Sequence, residues 1–254
     1  MIVVGTSGFR YREWASVFYP ANLDSKSWLR YYAARFGCCE LGTTYYQIPE
    51  VAAIQELASE TAGDFQFVFR APFRLVQEHP DNPELARRFA AALWPLTETG
   101  RLAGALLQFP PEYGFIRDNF DRLGRVRDSL EGIPLIAEFG SPDWGTPRAA
   151  KHLEAAHIAL ACIDGGERLA AKTFFRATSA TAYVRFQGRK YSRWIRGDGS
   201  AQHDYLYSRA EIAAAVAEIR RLEQACERVL VLFGNHWRGQ AVINARMLLE
   251  ELGE

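Results

Sequence analysis

The chain carries no surplus of charge: 30 Lys and Arg stand against 30 Asp and Glu in 254 residues. No global field draws such a protein to nucleic acid or to an anionic membrane, so a charged partner must be met by a local patch. Cysteine is scarce as well. The four residues Cys38, Cys39, Cys162 and Cys226 show no Cys-x-x-Cys spacing. Those inside apolar runs behave, when reduced, as small hydrophobes, so a reducing, cytoplasmic compartment is expected. No apolar run nears the ~20 residues of a membrane span, and no basic, apolar and small-residue leader precedes the first strand-like run. Neither export nor membrane anchoring is expected.

Several chemistries lack their signatures too. The five histidines include no His-x-x-His pair, so a His-rich metal cluster is not expected, and a carboxylate-held Mg²⁺ has no support in the spacing. Gly5-Thr6-Ser7-Gly8-Phe9 is followed by Arg10-Tyr11-Arg12 rather than by a helix start, which argues against a dinucleotide fold. No cofactor is called for. Ser7 has no nearby His and no G-x-S-x-G elbow, which discounts a serine nucleophile.

What is present is a cadence. Eight β-branched or aromatic runs recur at 2–6, 38–41, 65–71, 104–109, 134–139, 159–164, 182–187 and 229–234, nearly all followed by a helix-length stretch. Apolar on almost every position, they suit parallel strands buried on both faces. Trp28, Leu29, Tyr32, Ala33 and Phe36 keep helical spacing. Asn82-Pro83-Glu84 opens another helix, whose apolar stripe is Leu85, Phe89, Ala92 and Leu96. Ser208 to Glu211 has capping-box spacing ahead of Ile212, Val216 and Ile219. Eight strand-helix units in this length predict a TIM-type (β/α)8 barrel, one α/β domain over 1–254, with a helix-poor insertion at 187–207 on the barrel mouth. With 48% hydrophobic residues, the chain can bury roughly three quarters of its unfolded surface.

Working groups of such barrels lie at the carboxyl ends of the strands. That rule collects Thr6, Ser7 and Gly8; Glu40 with Thr43 to Tyr46; Arg70; Gln108; Glu138; Asp164; Arg185, Gln187 and Arg189; and Asn235 with His236. Glu40 and Arg70 fall on neighbouring strands and must meet or share a partner, since an unpaired charge among apolar strands is costly. Two readings of the pair stay open, a structural ion pair or a ligand clamp with its orienter. Glu138, beside Phe139, is the leading acid/base candidate, its carboxyl expected against aromatic rings that would raise it; a carboxylate held by Arg or backbone donors is the alternative. Gly5 to Gly8 offers backbone N–H groups and hydroxyls that suit an anion. Arg185 to Arg196 packs five cations and three aromatics into twelve residues, which suits a polyanionic or nucleotide-like ligand or a solvated loop stacked on itself.

The order of motifs resembles a known family. Gly5-Thr6-Ser7-Gly8-Phe9, Trp14, Phe18-Tyr19-Pro20, Glu40-Leu41 and Thr43-Thr44-Tyr45-Tyr46 come first. Phe69-Arg70-Ala71-Pro72, Leu107-Gln108-Phe109-Pro110-Pro111, Ala137-Glu138-Phe139 with Trp144, Tyr183-Val184-Arg185 with Gly188-Arg189, and Asn235 with Gly239, Ala241, Asn244 and Ala245 follow. In this sequence of motifs the chain is similar to the YecE-like family, the domain of unknown function numbered 72, across almost its whole length. The resemblance implies an α/β barrel with a mouth lined by Ser7, Glu40, Tyr45, Arg70, Gln108, Glu138 and Arg185. The chain departs from that family at Gly42, Arg70, Gly140-Ser141, Gln187 and Gly234, where the family carries Asn, Lys, Arg-His, His and Asn.

Together these features lead to the expectation of a cofactor-independent enzyme, hydrolase or phosphodiesterase-like, for a small anionic substrate bearing phosphate or carboxylate. Arg70, Arg185 and Arg189 would bind the anion, with Asn235 nearby. Glu138 would transfer a proton, with Glu40 as a second carboxylate, and Gln108, Tyr45 and Ser7 would orient. The alternative is a nucleic-acid or nucleotide binding module that breaks no bond, contacting through Arg189 to Arg196.

Overall fold

The computed structural model describes residues 1–80, 82–165, 175–189 and 203–253. Strands β1 (Ile2–Ser7), β2 (Cys38–Leu41), β3 (Gln66–Arg70), β4 (Leu102–Phe109), β5 (Leu135–Phe139), β6 (Ile158–Asp164), β7 (Thr181–Phe186) and β8 (Arg228–Phe233) pair in chain order, all parallel. The ring is closed by β8 on β1, from Ile2 opposite Val229 to Thr6 opposite Phe233. The barrel expected from the cadence of apolar runs is therefore the fold, and each strand lies within two residues of its predicted bounds.

Helices α1 (Trp28–Ala33), α2 (Val51–Ser59), α3 (Pro83–Glu98), α4 (Arg117–Ser129), α5 (Pro147–Ala155), α6 (Arg209–Ala225) and α7 (Gln240–Leu252) cover the outside. Their starts follow from local chemistry. Asn82 accepts from the Leu85 N–H at 2.9 Å and Pro83 takes the first helical position of α3. Ser208 and Glu211 cap α6 reciprocally, with Glu211 accepting from the Ser208 N–H at 2.8 Å. Among the described residues, no helix is long and apolar enough to cross a membrane.

Two apolar clusters explain why the strand runs lack an in/out alternation. The larger joins outward strand residues such as Phe67, Phe69, Leu107, Phe139 and Phe233 to the helices. The smaller fills the barrel itself, with Cys38, Val68, Leu106, Ile136, Ala161, Tyr183 and Leu230. Both faces of each strand are buried, as a covered parallel sheet requires. Gly5 serves the β1–β2 pairing: a Cβ there would stand 1.9 Å from the Cys38 carbonyl oxygen. At the amino-terminal end of the strands, Arg228 donates from Nη1 to Gln66 Oε1 at 2.8 Å across the interior.

The strand period of two then decides which polar residues share the mouth. Cys38, Val68, Leu106, Ile136 and Tyr183 point inward. Two positions further toward the carboxyl ends come Glu40, Arg70, Gln108, Glu138 and Arg185, which must therefore converge above that apolar layer.

Candidate functional site

They do converge. Arg185 on β7 bridges both carboxylates, donating from Nη1 to Glu138 at 2.6 Å and from Nη2 to Glu40 at 3.2 Å. Arg70 on β3 donates from Nε to Glu40 at 2.9 Å, so the predicted meeting of Glu40 and Arg70 is observed. Glu40 also accepts from Ser7 Oγ at 3.1 Å and, in a short hydrogen bond, from the Tyr183 hydroxyl. Burial by itself raises this carboxyl, but Arg185 and Arg70 outweigh it and hold Glu40 at about 2. In return Arg185, whose charge burial disfavours, is pushed above its usual range by Glu40 and Glu138. Burial and the Glu40 charge likewise raise the Tyr183 hydroxyl, which stays a donor.

Glu138 on β5 accepts from Gln108 Nε2 at 3.0 Å and Gln187 Nε2 at 3.3 Å as well as from Arg185. Its oxygens face amides and a guanidinium rather than aromatic rings. The pleat is the reason: Phe139 points to the outer layer, where it stacks on Trp144 with ring centroids 3.8 Å apart. A carboxylate held by donors is thus the reading that the geometry favours over a carboxyl pressed against rings.

Above this network lies a cavity of about 420 Å³, lined by Tyr45, Arg70, Gln77, Gln108, Glu138, Arg185, Gln187 and His203, with an apolar wall at Phe109 to Pro111. Glu40 is only 1% exposed beneath it. Arg70 spends Nε on Glu40 and, among the described residues, neither Nη atom is engaged.

The profile of a family described as "Protein of unknown function DUF72" matches residues 3–254. The chain belongs to the DUF72 family. Its similarity to the UPF0759 protein YunF of Bacillus subtilis (strain 168) is 27% identity over 272 residues, covering 99% of this chain and 95% of that protein. The crystal structure of a DUF72 family protein of Thermotoga maritima MSB8 is 32% identical, covers all of both chains and superposes with a TM-score of 0.88. One from Enterococcus faecalis V583, at 22% identity and also 0.88, covers all of this chain and 96% of that one, and shares the fold.

Within this DUF72 chain, three candidates sit elsewhere than the sequence placed them. Arg189 forms a forked pair with Asp164, at 2.9 and 2.6 Å, and donates to Glu211 at 3.0 Å, so its guanidinium ties β6 to α6. Asn235 is fully buried and donates to Tyr205 O and Asn244 Oδ1, fixing the loop after β8 to α7. The Gly5 to Gly8 segment offers no open cradle: the Thr6 N–H donates to the Tyr32 hydroxyl and the Gly8 N–H to Glu40 O. Ser7 is held at the site by its hydroxyl, which donates to Glu40. Of the basic and aromatic patch at 185–196, Arg185, Phe186 and Arg189 fall among the described residues; Lys190, Tyr191, Arg193, Trp194 and Arg196 lie outside them.

Two contributors were missed. Tyr183 precedes Arg185 by two, so the same strand period that aligns Arg185 with the mouth was a usable signal for it. His203 lies between β7 and α6, beyond the strand end where periodicity could have placed it.

Proposed function

We propose that this DUF72 protein is a cofactor-independent enzyme of the barrel mouth, acting on a small anionic substrate that bears a phosphate or carboxylate group. One observation carries the reading: Arg70, two of whose guanidinium nitrogens have no partner among the described residues, lines a cavity that Glu138 also lines. A planar fork of this kind matches the oxygens of a phosphate or carboxylate, while its third nitrogen is fixed by a buried carboxylate. Arg185 adds charge from below. Glu138 is the proton acceptor, since it is the carboxylate of the network that reaches the cavity. Glu40, sealed beneath, is a positioning residue that sets both guanidinium groups, and Ser7 and Tyr183 hold Glu40. Gln108 and Gln187 orient Glu138; Tyr45 offers a hydroxyl at the rim. Hydrolysis, with Glu138 taking a proton from water, is the reaction this set of groups suits best.

The test is a panel of nitrophenyl phosphate monoesters, diesters and carboxylic esters assayed with the wild type, Glu138→Gln and Arg70→Gln. Glu138→Gln is expected to lower turnover by about 10²–10⁴-fold with binding largely kept, whereas Arg70→Gln weakens binding. Wild-type turnover by Glu138→Gln would remove its role. Ligand binding without turnover of any ester would instead leave a binding module.

A further inference from the structure

Among the described residues, His203 is the one titratable group on the cavity wall to which this scheme gives no role. It lines the same cavity as Arg70, Glu138 and Arg185. Behind it stands His236, their rings 4.3 Å apart between centroids. His236 is itself fixed: it stacks on Tyr11 at 4.2 Å and 9°, its carbonyl accepts from Trp14 Nε1 at 2.7 Å, and its Nδ1 lies 3.4 Å from Glu13 Oε1. An imidazole at the cavity is thus backed by a second imidazole, and that one by a carboxylate.

We infer that His203 is a catalytic acid of the mouth, which takes up a proton when a dianionic, phosphate-class ligand seats on Arg70 and Arg185 and gives it to the departing oxygen. This rests on the reading of the cavity as an anion site and goes further, because it selects a dianion and supplies the second proton carrier. Acting on His203 are Arg70 from β3, Arg185 from β7 and His236 from the loop after β8; a backbone hydrogen bond at Gly234 holds the ring, and Glu138 from β5 lines the same cavity. In the empty cavity, burial, with His236, Arg185 and Arg70 adding to it, pushes the imidazole down to about 4, so it is neutral near pH 7. A dianion reverses the sign of that field. It offsets the two guanidinium charges and accepts the N–H that the imidazolium offers.

The step balances. A water proton passes to the Glu138 carboxylate as the water oxygen bonds to the reacting centre. The bond from that centre to the leaving oxygen breaks, and the leaving oxygen takes the His203 proton. Glu138 ends protonated and His203 neutral, and solvent exchange restores both.

Inorganic sulfate is the probe, since it stays a dianion over the working range. Histidine C2–H resonances of the full chain are titrated with and without sulfate, and calorimetry in buffers of different ionisation enthalpy counts the protons taken up. The His203 resonance, identified by its loss in His203→Asn, is expected to titrate well below the ordinary imidazole range. Sulfate should move its midpoint up by about 1–3 pH units. Between the free and bound midpoints, sulfate affinity should fall up to about tenfold per pH unit as pH rises. The uptake should vanish in His203→Asn, and the calorimetry on the wild type alone remains decisive if that variant does not fold. Sulfate binding that is lost in Arg70→Gln yet leaves His203 unmoved overturns this inference and spares the anion site. Proton uptake that persists in His203→Asn overturns it too. Binding that is absent, or indifferent to Arg70→Gln, overturns both.

Discussion

Arg185 Nη2 lies 3.2 Å from Glu40 Oε1, joining residues 145 positions apart across the inside of the barrel. Both side chains are almost without solvent, at 5% and 1% exposure, so neither charge has water to fall back on. A buried pair of this sort adds little over an apolar filling, but removing one member strands the other.

Glu40→Gln is therefore expected to cost about 3–5 kcal/mol, read as a lower urea midpoint. The wild type makes the same point through pH. Glu40 is held at about 2 in the fold against 4.5 when unperturbed, so its contribution is complete above 4.5 and lost as pH falls from there towards 2. An acid-unfolding profile of wild type and Glu40→Gln should converge over that window. Parallel profiles would contradict the assignment.

Arg189→Ala probes a different pair. Asp164, with 8% of its side chain exposed, loses its forked partner and, among the described residues, keeps the Tyr207 hydroxyl at 3.1 Å. Destabilisation of about 1–3 kcal/mol is expected, with sulfate affinity unchanged. A large loss of sulfate affinity without loss of stability would return Arg189 to the ligand.

The thiols give a third check. Burial raises Cys38 and Cys39 above the usual thiol range and Cys162 to about 12, while Cys226 is half-buried. An aromatic disulfide reagent should react with Cys226 alone in the native protein and with all four cysteines in denaturant. Rapid native labelling of a second thiol would show that the barrel wall opens more readily than this packing permits.

The sequence exposed the fold because strands buried on two faces read as unbroken apolar runs. The largest slip is at β4, which begins at Leu102, two residues before the expected start, where Gly104 interrupts the apolar pattern for the sake of packing. A Cβ there would meet Ile136 Cδ1 at 2.8 Å. Glu40, Arg70, Gln108, Glu138 and Arg185 were legible for the same reason, being strand residues whose direction the period fixes. Beyond the strand ends that rule lapses. Arg189 and Asn235 turn aside to Asp164 and Asn244, partners that only the folded chain brings near. His203 reaches the cavity from a loop with no register to read.

Arg228 and Gln66 give the barrel a floor. Below the polar mouth the axis is filled by Val68, Leu106, Ile136 and Leu230, and beneath these the guanidinium and amide close the far end. Nothing the size of a metabolite can travel through. Whatever enters over Tyr45 and Arg70 has to come out by the same door, so each bound molecule obstructs its successor until it departs.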